Sequence, residues 1–161
     1  MEDLQLLDES EKLSRFTLYG IETFGKVVSI HDGDTFDMCL IVPLKQLTTE
    51  RPINKRKKGI CLFCDQTDSR IVMRMRCRLD GIDARELKDK RGQKAKEILE
   101  SHIQGKILRC RLGMNDKYGR ILITLFVSHD GKEIVLNEHL QQHQEYFIAY
   151  DGGTKVFEIE E

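Results

Sequence analysis

The ten residues Arg70–Leu79 constrain the fold more than any other stretch. Ile71, Met73, Met75, Cys77 and Leu79 alternate with Val72, Arg74, Arg76 and Arg78. A two-residue period sends the two sets to opposite faces of a strand. One face is therefore expected to be buried. The other, a row of arginines, is expected to suit a phosphate-lined groove. A half-buried strand needs partners, and the chain supplies them. Phe24–Ile30 and Thr35–Val42 read as two strands joined by the turn His31-Asp32-Gly33-Asp34, which makes a hairpin. Lys106–Leu112 and Arg120–Ser128 read as two more, joined through Gly113–Gly119. Asp130-Gly131 marks the next hairpin turn.

Helical spacing appears in two places. Ala95, Ile98, Leu99 and Ile103 share one side of a helix expected over Lys94–Ile103, and Gly105 ends it. Leu136–Gln144 reads as a second helix, and Tyr146–Glu161 as an extended tail. Five strands with a helix after the third predict a β-rich α+β fold. Its form would be a five-stranded OB-fold barrel closed by two or more packed helices. The 161 residues suit one domain, large enough for a core without disulfides. The expected division is an N-terminal arm over 1–20, the barrel domain over 21–155, and a tail over 156–161.

Apolar runs such as Cys39–Val42 are far too short to span a bilayer, so a membrane is not an expected partner. The acidic start Met1-Glu2-Asp3-Leu4 lacks a signal-peptide pattern. Five cysteines, an odd count, argue against a complete disulfide framework. An intracellular location, cytoplasmic or nuclear, is expected, and so is a monomer.

The net charge of −1 conceals an uneven distribution. Pro43–Arg70 carries seven Lys or Arg against three Asp or Glu, a net of +4 on a remainder of about −5. A basic segment on an acidic body can steer a polyanion locally. The segment includes Lys55-Arg56-Lys57-Lys58, and it is longer than an ordinary hairpin loop. Its Cys61 and Cys64 supply two ligands where structural zinc needs four. Cys39, Cys77 and Cys110 fall on expected strands and read as small core residues. His31, His102, His129, His139 and His143 are scattered along the chain.

The chemistry-bearing residues form three short clusters. Asp34 follows a tight turn. Asp83 and Glu86 sit just beyond the arginine-bearing strand. Convergent carboxylates can hold a hard cation such as calcium, with carbonyls and waters completing the shell. A further carboxylate can position or deprotonate an attacking water. Arg78 and Arg120 can grip phosphate oxygens in a fork and remain charged at any relevant pH. Each carboxylate alone could equally be a turn residue or a helix cap. Asp32 reads as a turn residue, and Asp80 as groove-facing or ion-paired.

Asp32-Gly33-Asp34-Thr35, then Arg78-Leu79-Asp80-Gly81-Ile82-Asp83-Ala84-Arg85-Glu86, then Asp116-Lys117-Tyr118-Gly119-Arg120, resemble the staphylococcal (micrococcal) nuclease family in order and local spacing. Leu136-Asn137-Glu138 and Leu140 are similar to that family's later helix. The resemblance covers roughly Phe24–Lys155 apart from the insert. It implies a calcium-dependent phosphodiesterase, an endonuclease leaving 3′-phosphate ends on DNA, with RNA as a further substrate. Asp34, Asp83 and the backbone carbonyl of Ala84 would ligate Ca2+. Glu86 would act on the water, and Arg78 and Arg120 would bind the scissile phosphate. Lys117 and Tyr118 would contact a neighbouring phosphate, and Tyr150 would line the same groove. The resemblance extends to intracellular members, those of large DNA viruses included. Ala84 stands where the family usually has Thr, and Arg85 where it usually has Pro. The alternative is the same barrel as a non-catalytic module binding single-stranded nucleic acid.

Overall fold

The computed structural model describes residues 17–43 and 70–151. The expected arm up to residue 16, the insert 44–69 with Lys55–Lys58, Cys61 and Cys64, and the tail from 152 lie outside the described residues.

The alternating pattern of Arg70–Leu79 does form a strand, and five other strands share its sheet. In chain order the elements are β1 (Glu22–Ile30), β2 (Thr35–Pro43), β3 (Arg70–Leu79), β4 (Ile82–Ala84), α1 (Lys90–Ile103), β5 (Ile107–Asn115), β6 (Ile121–His129), β7 (Lys132–Val135), α2 (Leu136–Leu140) and β8 (Phe147–Ala149). The main sheet runs β3-β2-β1-β5-β6-β7, and β3 also pairs with β6. That last contact is parallel, through Cys77–Leu79 and Ile121–Ile123, and it closes a five-stranded barrel. Irregularities in β1 between Val27 and Ser29, and in β5 between Leu112 and Asn115, interrupt the ladder. Bulges of this kind add the local bend and twist that closure demands.

The barrel interior is apolar. Val27, Phe36, Met38, Leu40, Cys77, Leu79, Leu112, Ile121, Ile123 and Leu125 are essentially inaccessible. Ala95, Leu99 and Ile103, spaced every four residues, turn one stripe of α1 into the same cluster. Each fully buried Leu or Ile contributes about 1.5–3 kcal/mol relative to exposure. Asp130 and Gly131, both at positive φ, make the hairpin turn their sequence implies.

Four expectations are corrected. The first helix starts at Lys90 rather than Lys94, because the Asp89 carboxylate caps it by accepting from the Arg91 amide at 2.9 Å. The second helix stops at Leu140 rather than Gln144, where the chain turns through His143 and Tyr146. Within the expected extended tail, β8 pairs with β4; both are three residues long, too short for periodicity to reveal. The arginine row does not line one groove. Arg74 and Arg76 instead converge on Asp37 of β2, at 2.9 and 3.1 Å.

The histidines are corrected too. His102, His129, His139 and His143 gather at one end, with ring centroids 4.9–6.0 Å from that of His139. Burial first, then the neighbouring imidazoles, holds His102 and His139 below the ordinary value.

Candidate active site

The turn His31–Asp34 is built by one side chain. Asp32 Oδ1 accepts from the amides of Asp34 and Thr35, at 3.0 and 2.7 Å, the Asx geometry that reverses a chain tightly. This carries Asp34 to the mouth of the barrel, where its carbonyl accepts from the Leu79 amide at 2.9 Å. Strand β3 therefore delivers Arg78 beside Asp34. After Leu79 the chain turns at Gly81, whose φ of 74° suits a residue without Cβ. It re-enters as β4 with Asp83 at the centre. Strand β8 pins β4 through the pairs Ile82–Ala149, Asp83–Ile148 and Ala84–Phe147.

Three charged groups meet here out of water. Arg78 Nη2 donates to Asp34 Oδ2 at 3.2 Å and to Asp83 Oδ1 at 2.5 Å. The Ala84 amide donates to Asp34 Oδ2 at 3.1 Å, and Thr35 Oγ1 donates to Asp34 Oδ1 at 2.8 Å. Burial pushes the Asp34 carboxyl above its ordinary value; the Arg78 charge opposes this, and Asp32 adds to it. With two carboxylates and one guanidinium, the trio carries a surplus negative charge when fully ionised.

A second cation reaches the same trio indirectly. Arg120 Nη1 donates to Thr35 Oγ1 at 3.1 Å, so Thr35 links Arg120 to Asp34. Arg120 Nε is held by Asp116 Oδ2 at 2.7 Å, while Asp116 Oδ1 accepts from the Tyr118 and Arg120 amides. Burial alone would raise the Asp116 carboxyl, but these hydrogen bonds outweigh it and hold the group low. The loop 116–120 is thus a cradle that aims one guanidinium. Tyr118 projects outward with Lys117 and Arg120 against its ring, at 5.1 and 5.4 Å. The Tyr150 ring lies 5.1 Å from the Arg78 guanidinium carbon.

These groups line one groove of about 800 Å³, within the range of ligand pockets. The nine residues to which the resemblance assigns roles border it: Asp34, Arg78, Asp83, Ala84, Glu86, Lys117, Tyr118, Arg120 and Tyr150. Asp80 and Arg85 border it as well, whereas Arg74 and Arg76 do not. Glu86 stands exposed on the loop between β4 and α1.

Residues to which the sequence reading gave no role hold the site in shape. A Cβ on Gly92 would stand 2.0 Å from the Glu86 carbonyl oxygen, so α1 packs directly under the Glu86 loop. A Cβ on Gly33 would strike the Cβ atoms of Ala84 and Ala95, at 2.6 and 2.8 Å. Asn137 is buried in α2; it donates to the Asp80 and Ile123 carbonyls and accepts from the Leu125 amide. It thereby fixes the turn between Arg78 and Asp83 to the barrel wall. Gly33 and Asn137 lay inside recognised motifs, but neither contact is visible before the chain is folded.

The donor chemistry of the mouth suits a hard cation. It offers two carboxylates and backbone oxygen, the set calcium accepts with water completing the shell. Among the described residues, no three His, Cys, Asp or Glu side chains are grouped to hold a metal ion, so carbonyl and water would be needed here.

A closed OB-type barrel with buried carboxylates and two guanidinium groups at its mouth has the chemistry that can grip phosphate oxygens. The chain is 32% identical over 101 residues to staphylococcal-like nuclease CAN1 of Arabidopsis thaliana. The aligned part is 61% of this chain and 30% of that relative, so the chain spans under a third of its length. No family model matches the chain. In barrel, motif order and this relative, the chain is similar to staphylococcal-type nucleases.

Proposed function

We propose that this chain is a calcium-dependent nuclease that hydrolyses phosphodiester bonds of DNA, and of RNA as a further substrate, leaving 3′-phosphate ends. The observation that carries this reading is the buried trio in which Arg78 Nη2 spans Asp34 and Asp83 at the floor of the groove. A buried surplus of negative charge is costly and is relieved by a proton or by a cation. Asp34, Asp83 and the Ala84 carbonyl would hold Ca2+, which when bound supplies charge neutralisation at the phosphate.

The remaining roles belong to the chain's own groups. Arg78, from the end of β3, and Arg120, from the loop before β6, would clamp the scissile phosphate, holding the charge that grows as the bond breaks. Their partners are already in place, so little reorganisation is needed at the moment of reaction. Glu86, on the lip, would take a proton from the attacking water or orient it. Lys117 and Tyr118 would hold the adjoining phosphate, and Tyr150 would pack beside the substrate.

A plasmid-nicking assay with calcium, with magnesium, or with chelator tests the proposal. Cleavage should be fastest in calcium and absent in chelator. Full activity in excess chelator would refute the calcium role. Binding without cleavage under every condition would leave a non-catalytic nucleic-acid module.

A further inference from the structure

Two hydrogen bonds from separate parts of the chain fix the Arg120 guanidinium. Asp116 Oδ2 accepts from its Nε at 2.7 Å, within one loop. Thr35 Oγ1 accepts from its Nη1 at 3.1 Å, from the first residue of β2. With Asp116 alone, the planar group could pivot about a single contact. The second bond sets its plane, because a guanidinium presents its donors in a rigid fork. Nε and Nη1 are thereby engaged, which leaves Nη2 for a phosphate oxygen.

The direction of the Thr35 bonds is also fixed. A guanidinium only donates and an ionised carboxylate only accepts. The hydroxyl between them therefore accepts from Arg120 and gives its proton to Asp34 Oδ1, 2.8 Å away. The surrounding turn does not need this hydroxyl. The Thr35 amide donates to Asp32 Oδ1, its carbonyl accepts from the His31 and Asp32 amides, and its backbone pairs with that of Arg78. Thr35 is buried, so bulk water does not compete for Oγ1.

We propose that Thr35 is a positioning residue for phosphodiester cleavage: its hydroxyl sets the plane of the Arg120 guanidinium and holds it in place relative to Asp34. The role in cleavage rests on the nuclease reading above; the role in aiming Arg120 does not. Thr35 acts through Arg120 and needs no contact with substrate. A carboxylate in its place would add to the surplus negative charge, and an amine would compete with Arg120 for Asp34.

The test compares Thr35→Val, which keeps the shape and loses the hydroxyl, with Thr35→Ser, which keeps the hydroxyl. Thr35→Val should lower kcat for DNA cleavage about tenfold, as misplacement of a catalytic group does, and Thr35→Ser should recover most of it. In an Arg120→Ala background, Thr35→Val should cost less than about twofold, because the group it aims is gone. A merely structural loss would cut both backgrounds by the same factor. Arg120 side-chain NMR reads the geometry without catalysis. Its Nη signals should be separate in wild type and Thr35→Ser, and averaged by guanidinium rotation in Thr35→Val. Unchanged kcat in Thr35→Val, equal losses in both backgrounds, or Nη signals that stay separate in Thr35→Val would each overturn the proposal. Wild-type protein that cleaves DNA under no condition would end the nuclease reading, and the Nη signals would still decide whether Thr35 aims Arg120.

Discussion

Strands β2 and β3 carry two charge clusters of the same residue types, arranged in opposite ways. On the outer face, one carboxylate serves two cations: Asp37 accepts from Arg74 and Arg76, with His31 Nε2 3.0 Å away. At the mouth, one cation serves two carboxylates: Arg78 donates to Asp34 and Asp83. The Arg74 and Arg76 side chains are 63% and 56% exposed, against 8% for Arg78 and 0% for Asp83. Water can solvate whatever the outer cluster leaves unpaired. At the mouth, burial of Asp83 and Arg78 hinders such solvation. Burial alone would raise the Asp37 carboxyl; hydrogen bonds from Arg74, His31 and Arg76 outweigh it and hold the group far below the usual range. Asp34, with a smaller share of one guanidinium, is pushed the other way. The same pairing chemistry thus holds one carboxyl low and leaves the other raised.

The sharpest way to break this comparison is to remove an arginine from each cluster. Arg78→Ala should lower the rate of DNA cleavage about a hundredfold or more, as loss of transition-state charge stabilisation does. Arg74→Ala should leave turnover within a few-fold and cost at most about 1 kcal/mol, the scale of an exposed pair. Steady-state kinetics and denaturant melts on both variants check this. Equal losses of turnover would erase the distinction.

Gly92→Ala probes the frame rather than the charges. Its Cβ would meet backbone of the Glu86 loop at 2.0–2.7 Å, so that loop must move. Turnover should fall about tenfold or more, as ångström-scale misplacement of catalytic groups does. Far-UV circular dichroism should show the helix content retained. Unchanged turnover would show that the position of Glu86 does not matter.

Asp34→Asn measures the cost of the buried charge. A carboxyl raised on folding contributes stability below its unfolded pKa and loses it as pH rises through the folded value. At neutral pH and without metal, wild-type protein bears that cost. Asp34→Asn, which removes the buried charge while Arg78 keeps Asp83, should therefore raise the stability of the metal-free protein, while weakening Ca2+ binding. Denaturant unfolding in chelator at pH 7.5 decides the matter, and a destabilised variant would contradict the surplus-charge picture.

The smallest effect lies at the histidine end. His102 and His139 are depressed on folding, so their contribution is present above the ordinary value near 6.5 and lost as pH falls through the lower folded values. Tm should drop on acidification through this window, and His139→Gln should flatten the drop. A wild-type Tm that does not change there would dissolve the coupling.

Much of the fold was legible because barrel strands carry their own periodicity. The alternation of Arg70–Leu79 and the Asp130-Gly131 turn required no knowledge of the rest of the chain. The site was legible as a residue list because each of its three clusters is contiguous. Their convergence was not legible, and neither were the parts that aim them. Thr35 relays Arg120 to Asp34, and Asn137 ties the turn after Arg78 to β6; both depend on partners far away in sequence.

By itself, the sequence determined which residues could make strands, where the chain turns, and which side chains have the chemistry for phosphate and a hard cation. Local backbone preference and short-range spacing carry that information. Only the tertiary structure decided that Arg74 and Arg76 belong with Asp37 while Arg78, on the same face by period, belongs to the mouth. The reason is closure. At Cys77–Leu79 strand β3 leaves its open edge and pairs with β6, and β4 folds over its end to bury Arg78 between two carboxylates. Packing of α1 and α2 beside the end of β6 likewise brings His102, His129 and His139 together, and no two-residue period records it.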